Sequence, residues 1–202
     1  RIGCPGACPG IRPAVQGRVG TFRTVPRGIG PGGGKCDTVK SMKLSVVIPA
    51  HNEEACIEST VRALVTKLEA ELIEGEILVV NDNSSDGTEK VLRDLSGVLL
   101  GVRYVNNAPP HGYGFAVRKG LECFSGDAVA VYMADASDTP EDLVKFYRTM
   151  VEKNLDCVFG TRFSRESRIV DYPWLKLALN RMANAFIRIL FGLRYNDVTN
   201  AF

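Results

Sequence analysis

The sequence predicts an α/β domain built on a mostly parallel sheet covered by helices on both faces. Three observations lead there. From residue 43 onward, short apolar runs rich in Val and Ile alternate with longer stretches of helical period. The short runs are nearly continuous in apolar residues, which is how strands buried on both faces read; half-exposed strands alternate instead. The chain has 202 residues, 45% of them apolar, enough for one such core and too many for a disordered chain.

The elements follow in order. Residues 44–48 are a buried strand, ended by Pro49. Residues 53–71 are a helix with Ile57, Val61, Leu64, Val65 and Leu68 on one face. Residues 76–80 are the second strand. Residues 86–95 are a helix, with Ser85 or Asp86 as its cap. Residues 99–105 form the third strand, 114–124 a helix and 127–133 the fourth strand. Pro140 suits the first turn of a helix, where no amide hydrogen is needed, and residues 141–152 continue it. Residues 156–159 are a fifth strand and residues 173–191 a last helix.

The first 41 residues read differently. Residues 1–40 contain ten Gly and five Pro and no periodic apolar stretch. They do not begin with Met and hold no apolar core of signal-peptide length. Met42, followed by Lys43 and a strand, makes a natural start. Residues 1–41 are therefore expected to be a disordered extension or upstream translated sequence, and the domain to span 42–202. Residues 30–36 mimic a phosphate loop, but Ile29 stands where its first Gly belongs and Cys36 where a Ser or Thr would hold magnesium. Charge divides the same way. Residues 1–40 hold seven Lys/Arg against one Asp, a net +6, and the rest hold 18 basic against 22 acidic residues, a net −4. A domain of that sign is not expected to bind nucleic acid. The six cysteines form no CxxC pair and the chain has two histidines, which argues against structural zinc. Cys56, Cys123 and Cys157 are expected to be buried thiols of a cytosolic protein.

Ligands of parallel sheets bind at the carboxyl ends of the strands. Three polar clusters fall there: Pro49-Ala50-His51-Asn52-Glu53-Glu54, Asn81-Asp82-Asn83-Ser84-Ser85-Asp86-Gly87-Thr88, and Ala134-Asp135-Ala136-Ser137-Asp138-Thr139-Pro140. One strand-end Asp is often only a helix cap; three clusters together imply a site. Carboxylates so placed suit a hard cation, Mg²⁺ or Mn²⁺, bridging a diphosphate, with Asp135 and Asp138 as its ligands. Asp82 suits a base N–H or a ribose hydroxyl. No glycine fingerprint follows the first strand, and Gly112-Tyr113-Gly114 lacks a third Gly, which disfavours a nicotinamide cofactor. A diphosphate held by metal and side chains points to a nucleotide-sugar.

The first two clusters, with Ser45-Val46-Val47-Ile48 and Val79-Val80 before them, resemble family 2 of the inverting glycosyltransferases, which have the GT-A fold. His111-Gly112-Tyr113-Gly114-Phe115-Ala116, Gly160-Thr161-Arg162-Phe163 and Asp197-Val198-Thr199-Asn200-Ala201-Phe202 are similar to its polyprenyl-phosphate branch, typified by dolichyl-phosphate mannose synthase. The resemblance covers residues 43–202. It implies transfer of a hexose, mannose or glucose, from a GDP- or UDP-sugar to a polyprenyl phosphate of the dolichyl or undecaprenyl type. It implies that Pro49, His51, Glu53 and Asp82 contact the nucleotide, with Ala50 beside them, and that Arg162 approaches the donor phosphates. The family's usual Asp-x-Asp is absent. Aligned on Pro140, its positions fall on Ala134 and Ala136, which with Asp135 complete the expected donor-binding set. The family usually continues past the position of Phe202 with further basic and acceptor-binding residues.

The implied reaction is an in-line displacement at the anomeric carbon. The metal neutralises the leaving diphosphate, and Arg162, with Arg118 or Lys119, adds fixed positive charge. A lipid phosphate is already ionised at neutral pH and needs no general base; an alcohol acceptor would need one, and Asp138 is the reserve candidate. The rivals are a transferase acting on a glycan or other alcohol, a nucleotidyltransferase, and a nucleotide-sugar-binding domain without turnover. A nucleotidyltransferase would show a glycine-rich basic loop after the first strand, and residues 49–54 hold no Gly, Lys or Arg.

Residues 173–193 carry Lys176, Asn180, Arg181, Asn184 and Arg188 within an arc of roughly 140°, at about 100° per residue. Trp174, Leu175, Leu179, Met182, Phe186, Ile189, Leu190 and Leu193 lie on the other face. The segment is too charged to span a bilayer. It either packs on the sheet or lies in a membrane interface, with Lys176, Arg181 and Arg188 toward anionic lipid or a lipid phosphate. No acidic residue occurs between Trp174 and Tyr195, which favours the membrane. The expected location is peripheral, at the cytoplasmic face of a membrane.

Overall fold

The computed structural model describes residues 18–22, 42–161 and 174–192. In chain order its strands are β1 (Arg18–Phe22), β2 (Leu44–Ala50), β3 (Gly75–Asn81), β4 (Val102–Asn106), β5 (Ala128–Val131) and β6 (Cys157–Thr161). Its helices are α1 (Ile57–Ala70), α2 (Thr88–Val98), α3 (Tyr113–Cys123), α4 (Pro140–Lys153) and α5 (Trp174–Leu190). The main sheet has the order β4-β3-β2-β5 and is parallel throughout.

Side chains alternate across this sheet and bury both faces. Val46, Ile48, Ile77 and Val79 pack with Ile57, Val61, Leu64 and Leu68 of α1, Leu92 and Leu95 of α2, and Leu143 of α4. Val47, Leu78 and Val80 pack on the other face against Ala116 of α3. Gly120 lets α3 approach closely: a Cβ there would stand 2.2 Å from Cγ1 of Val47. The register sets the level of the strand ends. Ala50 pairs with Asn81, and Asn81 with Asn106, so three loops leave the sheet side by side.

The opposite end of the sheet is closed by a polar lock. Glu76 is buried and accepts hydrogen bonds from Ser45 Oγ (2.6 Å), Arg103 Nε (2.9 Å) and the Ser125 amide (2.6 Å). Ser45 Oγ also accepts from the Gly126 amide at 2.8 Å, so the turn from α3 to β5 is tied to the strand starts.

Several sequence expectations shift. α1 begins at Ile57 rather than residue 53; residues 54–56 form a turn instead, and the Glu53 and Glu54 amides donate to Thr88 Oγ1 and Asp86 Oδ2. α2 runs on to Val98, which shortens the third strand to begin at Val102. α4 starts at Pro140, and Thr139 Oγ1 caps it by accepting from the Asp142 amide. The fifth strand does not join the parallel sheet. β6 pairs antiparallel with β1, which lies inside the stretch expected to have no structure. Val19 and Thr21 alternate there, a short strand signal that the surrounding Gly and Pro obscured. The cysteines also differ from expectation: Cys56 is disulfide-bonded and Cys157 is exposed.

Candidate functional site

The loops after β2 and β3 are stitched together. The Asn52 amide donates to Ser84 Oγ (3.0 Å), and Asn52 Oδ1 accepts from the Ser85 amide (2.8 Å). Glu54 Oε2 accepts from the Gly87 amide at 2.9 Å. Asp86 Oδ1 accepts from the Thr88 amide at 3.0 Å, but the N-cap of α2 is Gly87, so neither Ser85 nor Asp86 holds the cap position expected of them. Asn52 and Asn83 hold positive φ angles of 57° and 55°, which Asn tolerates better than most residues. The first two polar clusters are therefore one element.

Asp82 is the hub of that element. Its amide donates to Ala50 O at 2.8 Å, and its carbonyl accepts from His51 Nδ1 at 2.6 Å. Its buried carboxylate accepts from Asn107 Nδ2 (2.8 Å), His111 Nδ1 (3.0 Å) and the Gly112 amide (2.6 Å). Burial alone would raise its pKa; the hydrogen bonds from Asn107, Gly112 and His111 outweigh burial and hold it below the usual value. Gly112 sits at the start of α3 with φ 123°, where it serves as the N-cap residue. Sequence reasoning did not find Asn107 and His111 as partners of Asp82. The available signal was that both lie just past a strand aligned with β3.

The third cluster is held from below. Thr60 Oγ1 of α1 donates to Ala134 O at 2.9 Å, and Tyr132 Oη donates to Asp138 O at 2.6 Å. Ala136 takes φ 56°, a conformation that costs a residue with a Cβ about 1 kcal/mol. Asp135 is exposed; its Oδ1 accepts from the Ser137 amide at 3.0 Å, and its Oδ2 makes no hydrogen bond among the described residues. Asp138 Oδ2 accepts from the Met133 amide at 3.1 Å. Burial, then the charges of Asp135 and Asp142, push Asp138 up to about 6 against that hydrogen bond. Burial raises Glu53 as well, followed by the charges of Asp135 and Asp86. The first and third clusters thus share one negative field. Tyr113, at the start of α3, is raised by burial and then by the charge of Asp138, which extends that field to α3.

No group of three or more His, Cys, Asp or Glu able to hold a metal by itself occurs among the described residues. A cation shared with a diphosphate needs only one or two protein carboxylates. Asp135 and Asp138 fit that lesser demand, with Asp135 the more accessible, and the mutual repulsion within the cluster is what a cation would relieve.

The other expected residues lie on several elements. Pro49 and Ala50 end β2, and His51 and Glu53 follow in the stitched loop. Arg162 lies outside the described residues, as do the side chains of Lys176 and Arg188. Arg181 is exposed on α5. That helix turns Asn184 inward and leaves Leu179, Met182, Phe186, Ile189 and Leu190 exposed, so the described part of its apolar face is not packed on the sheet. No described helix is long and apolar enough to cross a membrane.

A family model, glycosyl transferase family 2, matches residues 45–200 and so takes in all three clusters. The chain belongs to glycosyl transferase family 2. Two curated proteins of Bacillus subtilis (strain 168) are similar to this member of the family. The probable glycosyltransferase YdaM is 40% identical over 108 residues, 52% of this chain and 25% of that protein. The uncharacterized glycosyltransferase YkcC is 27% identical over 162 residues, 79% of this chain and 47% of that protein. The chain thus spans between a quarter and about half the length of these relatives. Among solved structures, glucosyl-3-phosphoglycerate synthase from Mycobacterium tuberculosis in complex with UDP is 26% identical, with a TM-score of 0.47, covering 65% of this chain and 48% of that one. The mannosyltransferase PcManGT from Pyrobaculum calidifontis, in complex with GDP-Man and Mn²⁺, is 22% identical, with a TM-score of 0.48, covering 54% and 32%.

Proposed function

We propose that this family 2 domain transfers a hexose, mannose or glucose, from a GDP- or UDP-sugar to a polyprenyl phosphate at the cytoplasmic face of a membrane. Family membership and the strand-end clusters support the donor half of that reading. The acceptor half rests on one observation, the apolar face that α5 leaves exposed beside a run of basic residues without an acidic one.

Asp135 and Asp138 would hold Mg²⁺ or Mn²⁺. When bound, the cation supplies charge neutralisation at the leaving diphosphate. The stitched loops fix Pro49, Ala50, His51 and Glu53 against the nucleoside, and Ala134 and Ala136 keep the third cluster narrow. Arg162 adds positive charge at the phosphates. The acceptor phosphate oxygen attacks the anomeric carbon as the bond to the diphosphate breaks, and the configuration inverts. No proton has to leave the acceptor. The second reading is a hydroxyl acceptor on a glycan or other alcohol. It is favoured by Asp138, a partly shielded carboxyl suited to take the proton such an acceptor must lose.

The test is sugar transfer from a panel of GDP- and UDP-sugars to polyprenyl phosphate in vesicles and to free alcohol acceptors, with Mn²⁺ or with chelator. The expected result is transfer to the lipid phosphate that chelation abolishes, and a loss of at least about 100-fold in Asp135→Asn. Transfer that survives chelation removes the metal role, and transfer only to alcohols replaces the acceptor.

A further inference from the structure

The chain has two histidines, and both hydrogen-bond to Asp82. His51 reaches its carbonyl and His111 its carboxylate. A carbonyl oxygen and an ionised carboxylate only accept, so both Nδ1 atoms carry the hydrogen. In the neutral ring the lone pair then sits on Nε2. Nε2 of His51 is engaged by Asn52 Nδ2 at 3.3 Å. Nε2 of His111 has no hydrogen-bond partner among the described residues, and that side chain is 35% exposed.

This imidazole is not an ordinary loop histidine. The carboxylate behind it is buried and is kept from turning by Asn107 Nδ2 and the Gly112 amide. Asp82 itself directly follows β3 and is bonded to the end of β2, so His111 is held where ligands of parallel sheets bind. Orientation of an imidazole by a carboxylate is how proteins prepare its second nitrogen to meet a partner. Asp82, by contrast, has most of its roughly four acceptor positions filled by its own protein.

We propose that His111 is a donor-binding residue whose Nε2 accepts a hydrogen bond from the nucleoside of a nucleoside diphosphate, with Asp82 as the positioning residue behind it. This deepens the nucleotide-sugar reading above and rests on it. A base N–H and a ribose hydroxyl offer the same donor chemistry.

The experiment is calorimetric titration of the full chain and of His111→Asn with UDP, GDP and 2′-deoxyuridine diphosphate in the presence of Mn²⁺. Asn keeps an N–H where Nδ1 stood and offers nothing at Nε2. Hydrogen exchange at the Gly112 amide reports whether the loop stays anchored. The expected result is about tenfold weaker binding, the size of one hydrogen bond, with Gly112 exchange unchanged. If the loss vanishes with the 2′-deoxy nucleotide, the partner is the ribose 2′-hydroxyl; if it persists, the partner is the base or the 3′-hydroxyl. Unaltered affinity overturns the proposal, as does a loss that appears only together with faster Gly112 exchange. An unsubstituted chain that binds neither UDP nor GDP removes the nucleotide-sugar reading, and this proposal with it.

Discussion

Glu76 and Asp138 are both shielded carboxylates, yet their surroundings push them in opposite directions. Burial alone would raise Glu76; the hydrogen bonds from Arg103, Ser45 and Ser125, with the charge of Arg103, outweigh it and bring the carboxyl to about 2. Its folded value lies below the unfolded one of about 4.3, so it contributes stability above that value and loses it as pH falls toward 2. A carboxyl lowered that far would contribute about 3 kcal/mol. Denaturant midpoints measured from pH 6 to pH 3 should fall for the parent, and Glu76→Gln should be lower at pH 6 and flatter across the range. Asp138 behaves in reverse. With a folded value near 6, it carries a penalty above that pH and sheds it as pH falls through 6 toward 4. Metal-free Asp138→Asn should therefore be more stable than the parent by up to about 3 kcal/mol at pH 7.5, the gap should close by pH 4, and transfer activity should drop. Equal stabilities at pH 7.5 would remove the penalty. The identities of these residues were legible in the sequence only in part. Asp138 stood out because it follows a strand. Glu76 did not, because its partners at Ser45, Arg103 and Ser125 are far away along the chain and nothing local announces them.

At the level of the elements, strands were easier to read than helix starts. β2 and β3 are apolar runs because both their sides face helices, and that pattern is local. The lead into α1 is not local, since the amides of Glu53 and Glu54 are held by Thr88 and Asp86 of the neighbouring loop. The seat of α3 was equally hidden, because a glycine in a helix carries no sign of what it touches. Gly120→Ala tests that seat. Its methyl would collide with Val47, and the expected cost is about 3 kcal/mol, seen as a lower melting temperature with nucleotide affinity little changed. A melting temperature equal to the parent's would mean that α3 stands farther from β2 than described.

For the whole molecule, pairing was the least legible property. β6 has the apolar character of a sheet strand, yet its partner is β1, and no pattern inside β6 selects a partner so distant in sequence. The outward face of α5 was legible as a pattern but not as an orientation. Periodicity separates its faces without saying which one meets the sheet. The described helix buries Asn184 and exposes Phe186 and Ile189. Replacing Phe186 and Ile189 together by Glu should abolish co-sedimentation with anionic vesicles while leaving UDP and GDP binding intact. Vesicle binding that persists would send the acceptor search elsewhere. The lock at Glu76 has a consequence at this scale. It anchors the sheet at the end away from the crevice, using Ser45, Arg103 and the turn at Ser125 and Gly126. At that end of the sheet, anchorage thus falls to residues outside the strand-end clusters. Crevice side chains that take no part in the stitching can be exchanged in search of a new donor or acceptor without touching this anchor, which suits the scaffold to laboratory evolution.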